Sequence, residues 1–329
     1  MIFAGKVRAA ISFIDMAAYI NRLDSNMKNL NSKRLEQLGR SFLYRTRLTE
    51  EKLANVPLTY REFRVHKRDG RERRLCSPNS ELKYVQRIML RKVFQLLPVH
   101  PAAKGFRRRQ GIVDHALLHS GKPIVVLMDI EDFFNSTQGW RVSNILKGFG
   151  WSQELIDQIV RIVCHPETNS LPQGAPTSPV LSNVVNWELD VRLTAFARKR
   201  DLVYSRYADD IAFSPKGSGK ISNPYDIVRI VNTILVEYGY VLRAEKSRVL
   251  RSCQQQNVTG LVVNNTCNLS RSVRRRMRSA EHRLSNNGPL SSVTESGEAT
   301  PMTPEQLRGW QGYAAMISKR VQKLSGVDK

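Results

Sequence analysis

The sequence is poor in cysteine and in acidic residues, and it contains no long apolar run. Its four cysteines, Cys76, Cys164, Cys253 and Cys267, show no Cys-x-x-Cys spacing. This pattern argues against a disulfide framework or a zinc motif and indicates free thiols in a reducing cytoplasm. Without about 18 consecutive apolar residues, no transmembrane helix is predicted. Asp15 interrupts the early apolar stretch at residues 9–14, which disfavours a secretory signal. We therefore expect a cytoplasmic protein without a membrane partner.

The deficit of acids leaves a strongly basic chain. Lys and Arg number 52 against 29 Asp and Glu, so the net charge is +23 over 329 residues. Such charge implies a polyanionic partner, with salt-sensitive contacts to phosphates. An acidic membrane surface is the alternative. It is disfavoured because the basic residues are interleaved with aromatics over several segments and are not confined to one amphipathic helix.

Three of the few acids stand at the ends of apolar strands. Residues 123–129 form a continuous apolar run that ends in Asp129, which is typical of a central strand. Residues 202–207 and 211–214 read as two further strands, with Asp209 and Asp210 at the turn between them. Adjacent carboxylates repel each other unless a cation is bound. These three could hold two Mg²⁺ ions about 4 Å apart, an arrangement that activates an attacking hydroxyl. Taken alone, they could equally be a turn cap and a solvated hairpin tip.

A loop rich in Gly and Pro at residues 171–179 leads into a predicted helix. Ser178 is the expected N-cap and Pro179 the first helical residue. Free backbone N–H groups before a helix suit contact with a nucleotide or phosphate. Taken alone, an ordinary capped helix start explains this segment better.

Together these segments resemble, in order, the palm motifs of reverse transcriptases: residues 129–134, 173–179 and 207–210 (Tyr-Ala-Asp-Asp). Residues 70–78 are similar to the fingers segment of bacterial reverse transcriptases, and residues 105–110 to the basic stretch before the first palm strand. Residues 258–263 resemble the Val-Thr-Gly segment of retron enzymes in particular. The retron Asn-Ala-x-x-His motif corresponds to residues 115–119, where His115 replaces Asn. The resemblance covers roughly residues 60 to 325.

The resemblance implies roles for particular residues. Asp129 and Asp209 would hold two Mg²⁺ ions with support from Asp210. The residues implied near the incoming dNTP are Arg73, Phe134, Gln173 and Lys246. Those implied to contact RNA are His119, Val258, Thr259, Gly260, Arg274, Arg275 and Arg278. The alternatives are core packing for Phe134, a surface role for Lys246, and a solvated face for the arginines. For His115 and His119, four residues apart, metal binding is disfavoured because the Glu of a His-Glu-x-x-His motif is absent, and a structural role or RNA contact is expected instead.

The expected fold is α/β (α+β), a right-hand polymerase with fingers, palm and helical thumb. We expect an N-terminal helical region at residues 1–58, a fingers and palm domain at 59–265, and a helical thumb at 266–329. A hairpin near residues 60–74, a long loop at 285–306 and an apolar helical seam from Leu307 to Leu324 are predicted within it.

The retron resemblance further implies an RNA-directed DNA polymerase of bacterial origin. Its partners would be a cognate noncoding RNA, the DNA product and an effector protein in phage defence, with a guanosine 2′-OH as primer. A group II intron-like or diversity-generating reverse transcriptase is one alternative. A metal-dependent nuclease, suggested by Asp129-x-Glu131, and a non-catalytic RNA-binding scaffold are the others.

Overall fold

The structure, a computed structural model, describes residues 32–66, 72–286, 291–293, 299–301 and 303–326. For Arg73 and the segments 291–293 and 299–301 it describes the backbone alone. The chain forms two compact units. Unit one comprises Met1–Val99 and Phe134–Val185, and unit two comprises His100–Phe133 and Asn186–Lys329. These units do not follow the predicted boundaries at residues 58 and 265, which stay a prediction about functional subdomains.

Helices and strands alternate irregularly along the described residues. The helices are α1 (Ser32–Arg40), α2 (Phe42–Thr46), α3 (Glu50–Asn55), α4 (Ser80–Lys92), α5 (Ile112–Leu117), α6 (Gly139–Gly148), α7 (Gln153–Val163), α8 (Ser178–Val185), α9 (Trp187–Arg198), α10 (Pro224–Glu237), α11 (Arg271–Ser285) and α12 (Pro304–Ser325). The strands are β1 (Tyr60–His66), β2 (Glu72–Pro78), β3 (Ile124–Asp129), β4 (Leu202–Tyr207), β5 (Asp210–Pro215), β6 (Arg248–Arg251), β7 (Asn257–Val258), β8 (Leu261–Val262), β9 (Ser291–Val293) and β10 (Ala299–Pro301). Short 3₁₀ turns occur at Phe94–Leu96 and Ala244–Lys246.

Unit one is a helical body around one apolar core. Phe42, Leu82 and Ile159, from α2, α4 and α7, are fully buried in it. The indole N–H of Trp151 donates to the Leu35 carbonyl at 2.8 Å, which ties α1 to the segment before α7. Residues 32–55 are therefore helical as predicted, and they complete the core of this unit. The rest of the predicted N-terminal helical region, residues 1–31, lies outside the described residues.

The predicted basic hairpin of unit one is β1–β2, an antiparallel pair whose turn lies outside the described residues. Its side chains are mostly exposed along β1. Cross-strand ion pairs join Arg64 to Glu72 at 3.0 Å and Arg74 to Glu62. Both arginines therefore have their ion-pair partners within the hairpin. Charged side chains of this kind are expected on an exposed edge strand, where they prevent pairing with other chains.

Unit two is built on a four-stranded antiparallel sheet with the order β4-β5-β3-β6. Strand β3 lies between β5 and β6, so it is a central strand, as its apolar run predicted. Most of its side chains are buried because other elements cover both faces of the sheet there. On one face Val125 packs into a core with α5, β7, β8, α11 and α12. On the other, the Phe213 ring stacks on Tyr204 at 5.0 Å and meets Phe196 of α9 edge-on at 5.8 Å.

The C-terminal part of unit two differs from its prediction in two places. Strands β9 and β10 pair within the segment predicted to be a loop; backbone hydrogen bonds form there although the residues have weak strand preference. Along α12, Leu307 and Ile317 are buried, whereas Leu324 is 42% exposed, so the buried seam ends before that residue. Among the described helices, none is both long enough and apolar enough to cross a bilayer.

Candidate active site

The turn that carries the adjacent aspartates is a two-residue hairpin loop. Tyr207 ends β4 and pairs with Asp210, the first residue of β5, so Ala208 and Asp209 form the turn. Ala208 has a positive φ of 55°, the value that a type II′ turn requires at its first central position. A Cβ on Gly105 would lie 3.0 Å from the Ala208 nitrogen. Glycine at position 105 therefore allows its segment to pack directly against the turn.

A buried ion pair that the sequence reading missed supports this turn. The Arg206 guanidinium donates from Nε and Nη2 to the two Asp190 oxygens at 2.9 and 2.7 Å. Its third nitrogen, Nη1, donates to the Ala208 carbonyl at 3.1 Å. Both side chains are fully buried. A charged residue near the end of a mostly apolar strand was the available signal, because a buried charge needs a partner.

Strand register brings the third aspartate to the same place. Asp129 ends β3 directly opposite Asp210, and the Ile130 N–H donates to the Asp209 carbonyl at 3.0 Å. Lys246 Nζ lies 3.0 Å from Asp129 Oδ2, and Arg243 Nη1 lies 3.3 Å from Asp129 Oδ1. The sequence reading predicted Lys246 but not Arg243. The three carboxylates predicted to act together are therefore neighbours on one sheet edge.

The electrostatics of this cluster favour a bound cation. Burial, and to a smaller extent the charges of Asp209 and Asp129, raise the pKa of Asp210 from 3.8 to about 7, while Lys246 opposes the shift. Asp129 Oδ1 is buried and, apart from its ion pair with Arg243, accepts no hydrogen bond from any described residue. Hard carboxylate oxygens are the ligands that Mg²⁺ prefers. The residues thus fit a divalent ion. The Asp129 carboxylate would then bind this ion as well as Lys246 and Arg243.

A cavity of about 530 Å³ opens beside these carboxylates within unit two. Its charged lining residues are Asp129, Asp210, Lys246 and Arg248. Thr259 and Gly260 at the tip of the β7–β8 hairpin and His115 from α5 also line it. The volume is within the range of small-molecule and nucleotide sites.

The other residues predicted to contact a dNTP belong to unit one. Arg73 lies on β2 opposite Val65, and its side chain is outside the described part of the structure. Phe134 and Gln173 are half-buried, and the Gln173 carbonyl accepts the Cys76 N–H at 2.8 Å. Gly174, at φ 128°, leaves no room for a Cβ, which would lie 2.8 Å from the Cys76 carbonyl oxygen. Their roles stay predictions.

The residues predicted to contact RNA fall into three groups. Arg274, Arg275 and Arg278 are exposed on α11, and Thr259 with Gly260 borders the cavity. Val258 is fully buried, and its side chain packs in the apolar core of unit two.

For His119, which the sequence predicted to be structural or to contact RNA, the structure shows a structural position, and the RNA contact stays a prediction. His119 lies beyond the end of α5 and is fully buried. Its Nδ1 and Nε2 are each 2.8 Å from a serine hydroxyl, those of Ser214 and Ser205. Both ring nitrogens are therefore already used inside the protein.

The described cysteines are free thiols, as predicted. Cys76 nevertheless approaches Glu62 and His165, with Sγ 3.9 Å and Nε2 4.0 Å from Glu62 Oε1. Arg74 already binds both Glu62 oxygens. His165 Nδ1 accepts the Glu167 N–H, which leaves the ring proton of a neutral imidazole on Nε2. We therefore assign no metal to this cluster.

Comparison with known proteins points to one family. A family model described as reverse transcriptase (RNA-dependent DNA polymerase) matches residues 65–264. The retron Ec86 reverse transcriptase of Escherichia coli is 32% identical over 247 residues, which cover 71% of this chain and 76% of that protein. The retron Mx162 reverse transcriptase of Myxococcus xanthus is 33% identical over 289 residues, and the retron Mx65 enzyme of the same organism is 36% identical over 240. These alignments cover 78% and 68% of this chain but only 57% and 55% of the two relatives.

A solved structure of telomerase from Candida albicans aligns over 77% of this chain and 55% of the telomerase chain. The two chains are 12% identical over the alignment, with a TM-score of 0.47.

Proposed function

Because this chain belongs to the reverse transcriptase family and, within it, to the bacterial retron reverse transcriptases, we propose that it polymerises DNA on an RNA template at the carboxylate cluster of unit two. The supporting observation is the register that places Asp129 opposite Asp210, next to Asp209 on the connecting turn. Convergent carboxylates at a sheet edge suit nucleotidyl transfer, which relies on positioning and charge neutralisation.

Members of this family generally use divalent metal ions, and we propose two Mg²⁺ ions held by Asp129, Asp209 and Asp210. Such ions would supply activation of the attacking hydroxyl and stabilisation of the leaving oxygen. The protein's own contribution is a rigid scaffold, since the Arg206–Asp190 pair holds the Ala208 carbonyl and thereby the turn. Lys246 would orient the pyrophosphate and donate a proton to it, a role that its position 3.0 Å from Asp129 supports.

The nucleotide would be selected by three residues for which the family resemblance implies this role. In this proposal Arg73 binds the triphosphate and Gln173 lies near the incoming nucleotide. Phe134 lies under its sugar, where a ring would exclude a ribose 2′-OH. The Gly174 conformation supports this assignment, since it lets the Gln173 loop approach the β2 backbone closely.

The nucleic acid would be a cognate noncoding RNA and its DNA copy. The net charge of +23 and the exposed arginines of α11 support a polyanionic partner. By analogy with the retron enzymes, DNA synthesis would start from a guanosine 2′-OH and give a branched RNA–DNA molecule. A role in phage defence with an effector protein is the corresponding biological proposal.

The test is the nucleic acid that copurifies with the protein expressed from its native locus, together with primer extension on an RNA template. We expect a short DNA that loses its attached RNA on RNase treatment. Asp209→Asn should abolish it and lower extension at least about 100-fold, the order of loss when an electrostatic group is removed from a transition state. Asp226→Asn, on the exposed face of α10, is the matched control. RNA without DNA in the wild-type sample would refute the proposal.

A further inference from the structure

Helix α4 of unit one has an outer face that is both aromatic and basic. Tyr84, Arg87 and Arg91 are spaced by three and four residues, so their side chains follow one another along the same side of the helix. Tyr84 is 61% exposed, and both arginines are exposed. A rise of about 1.5 Å per residue places the first and the last of them about 10 Å apart along the helix axis. These three residues are the outer face of α4.

The opposite face of α4 holds the helix in place. Four of its residues are buried in unit one: Leu82, Val85, Gln86 and Met89. The Gln86 amide donates to the Ile162 carbonyl at 2.8 Å and to the Tyr60 hydroxyl at 3.2 Å. The outer face is therefore carried by a helix that is already packed and hydrogen-bonded, so a partner that binds there would lose little affinity to ordering of the backbone.

The charges of this face are not neutralised within the described part of the chain. Arg87 and Arg91 have no ion pair or hydrogen bond to any described residue. The single acid of the α4 sequence, Glu81, is already paired with Lys52 at 2.6 Å. The hairpin arginines of the same unit differ, because they pair with glutamates across the strands. The two guanidinium groups of α4 thus remain available to an anion from outside the protein.

The composition of the outer face favours nucleic acid over a membrane surface. A helix that lies on a membrane inserts an apolar face, but Ile88 and Leu90 of α4 pack against the core of unit one. Guanidinium groups bind phosphates, and an exposed aromatic ring offers a surface on which a base can stack. The net charge of +23 favours the same kind of partner. Basic groups next to an aromatic ring are typical of proteins that bind single strands.

We infer that the outer face of α4 binds a single-stranded segment of nucleic acid, with one base stacked on the Tyr84 ring and phosphates of the same strand bound by Arg87 and Arg91. The strand must be single because the bases of a duplex are stacked on one another. The inference rests on the proposed function for the source of this strand, which is the RNA or its DNA copy. Neither contact involves a 2′-OH, so RNA and DNA of one sequence should bind alike.

The two kinds of contact have different signatures in binding. Loss of one stacked base should raise Kd about 5- to 150-fold in Tyr84→Ala, whereas Tyr84→Phe keeps the ring and should keep the affinity. The double variant Arg87→Gln/Arg91→Gln should lower the slope of log K against log salt by about 0.7 for each phosphate contact that is lost. Because Tyr84 is mostly exposed, its replacement should leave the midpoint of urea unfolding unchanged.

The experiment measures binding of the full chain to a labelled single strand of mixed sequence, as RNA and as DNA, by fluorescence anisotropy without dNTPs. A strand of the same length with abasic sugars keeps the phosphates and removes the bases, so Tyr84→Ala should not weaken its binding. Tyr225→Ala is the matched control. Tyr225 is 70% exposed on α10, where Arg229 lies 3.7 Å from Asp226 and is thus paired, and its replacement should leave the affinity unchanged.

The outcomes separate this surface from the polymerase proposal. If Tyr84→Ala binds as tightly as the wild type, or loses as much affinity for the abasic strand, the stacking site is refuted. An unchanged salt slope in the arginine variant as well would refute the whole surface and favour an acidic protein as its partner. If the wild type extends no primer but Tyr84→Ala weakens binding, the polymerase proposal fails and the surface stands. Primer extension without any effect of Tyr84 on binding refutes the surface alone.

Discussion

Neutralising Asp210 should make the metal-free protein more stable while it abolishes activity. Asp210 is buried beside Asp209 and Asp129, and its pKa is raised from 3.8 to about 7. Between these two values the folded protein binds a proton that the unfolded chain has released, so stability falls as pH rises. The cost is absent below the unfolded value and complete above the folded one. Asp210→Asn removes this titration and leaves the side-chain shape unchanged.

The magnitude follows from the size of the pKa shift. One pKa unit corresponds to about 1.4 kcal/mol, so the raised pKa of Asp210 costs the folded state about 4 kcal/mol near pH 8 but only about 2 kcal/mol near pH 5. The stability difference between Asp210→Asn and the wild type should therefore grow by about 2–3 kcal/mol between these pH values. Any constant effect of the amide cancels in this comparison.

Urea unfolding at several pH values, with a chelator present, measures the difference directly. Asp226→Asn, on the exposed face of α10, should show no such growth. Added Mg²⁺ should stabilise the wild-type protein and narrow its gap to Asp210→Asn, because a ligand that binds the folded state stabilises it. A stability difference that stays constant from pH 5 to pH 8 would show that Asp210 ionises normally, and the electrostatic argument for a cation site would lose its basis.

Other substitutions test the remaining parts of the structure. Arg206→Met should cost about 3–5 kcal/mol in urea unfolding because it leaves the Asp190 carboxylate buried with the neutral Tyr204 hydroxyl but without a charged partner; the double variant Arg206→Met/Asp190→Leu should be less costly, and additive costs would contradict the ion pair. Gly174→Ala should cost about 1–3 kcal/mol, since its Cβ would meet the Cys76 carbonyl in a conformation with positive φ. Its control Gly312→Ala on α12, with open space around its Cβ, should not destabilise. Replacing Arg274, Arg275 and Arg278 with Ala should lower the salt dependence of RNA binding by about one unit of slope for each lost phosphate contact; an unchanged slope, as expected for Arg229→Ala on α10, would leave α11 outside the RNA interface.

Much of the site could be read from local sequence pattern. The apolar run of β3 and the alternation of β4 and β5 predicted the strands, and the aspartates at their ends predicted the carboxylate cluster. These features depend on burial and on turn chemistry, which act over a few residues. The same reasoning predicted the apolar seam of α12.

Local pattern was less informative where long-range contacts decide. His119 occupies a position of the retron motif. Only its packing against β4 and β5 in the folded chain shows that the ring lies between Ser205 and Ser214. Arg206 and Asp190 are 16 residues apart, and Arg243 is 114 residues from the Asp129 that it pairs with. Nothing in their neighbouring residues identifies these partners.

The sequence by itself thus determined the chemistry of this protein: its positive charge, its strands and the carboxylates at their ends. Only the tertiary structure decided which polar groups are satisfied and which remain available. Burial and hydrogen bonding are properties of a place in the fold, and their energetic consequences depend on neighbours that the chain brings together from far apart. The raised pKa of Asp210 and the unpartnered nitrogen of His115 exist for that reason.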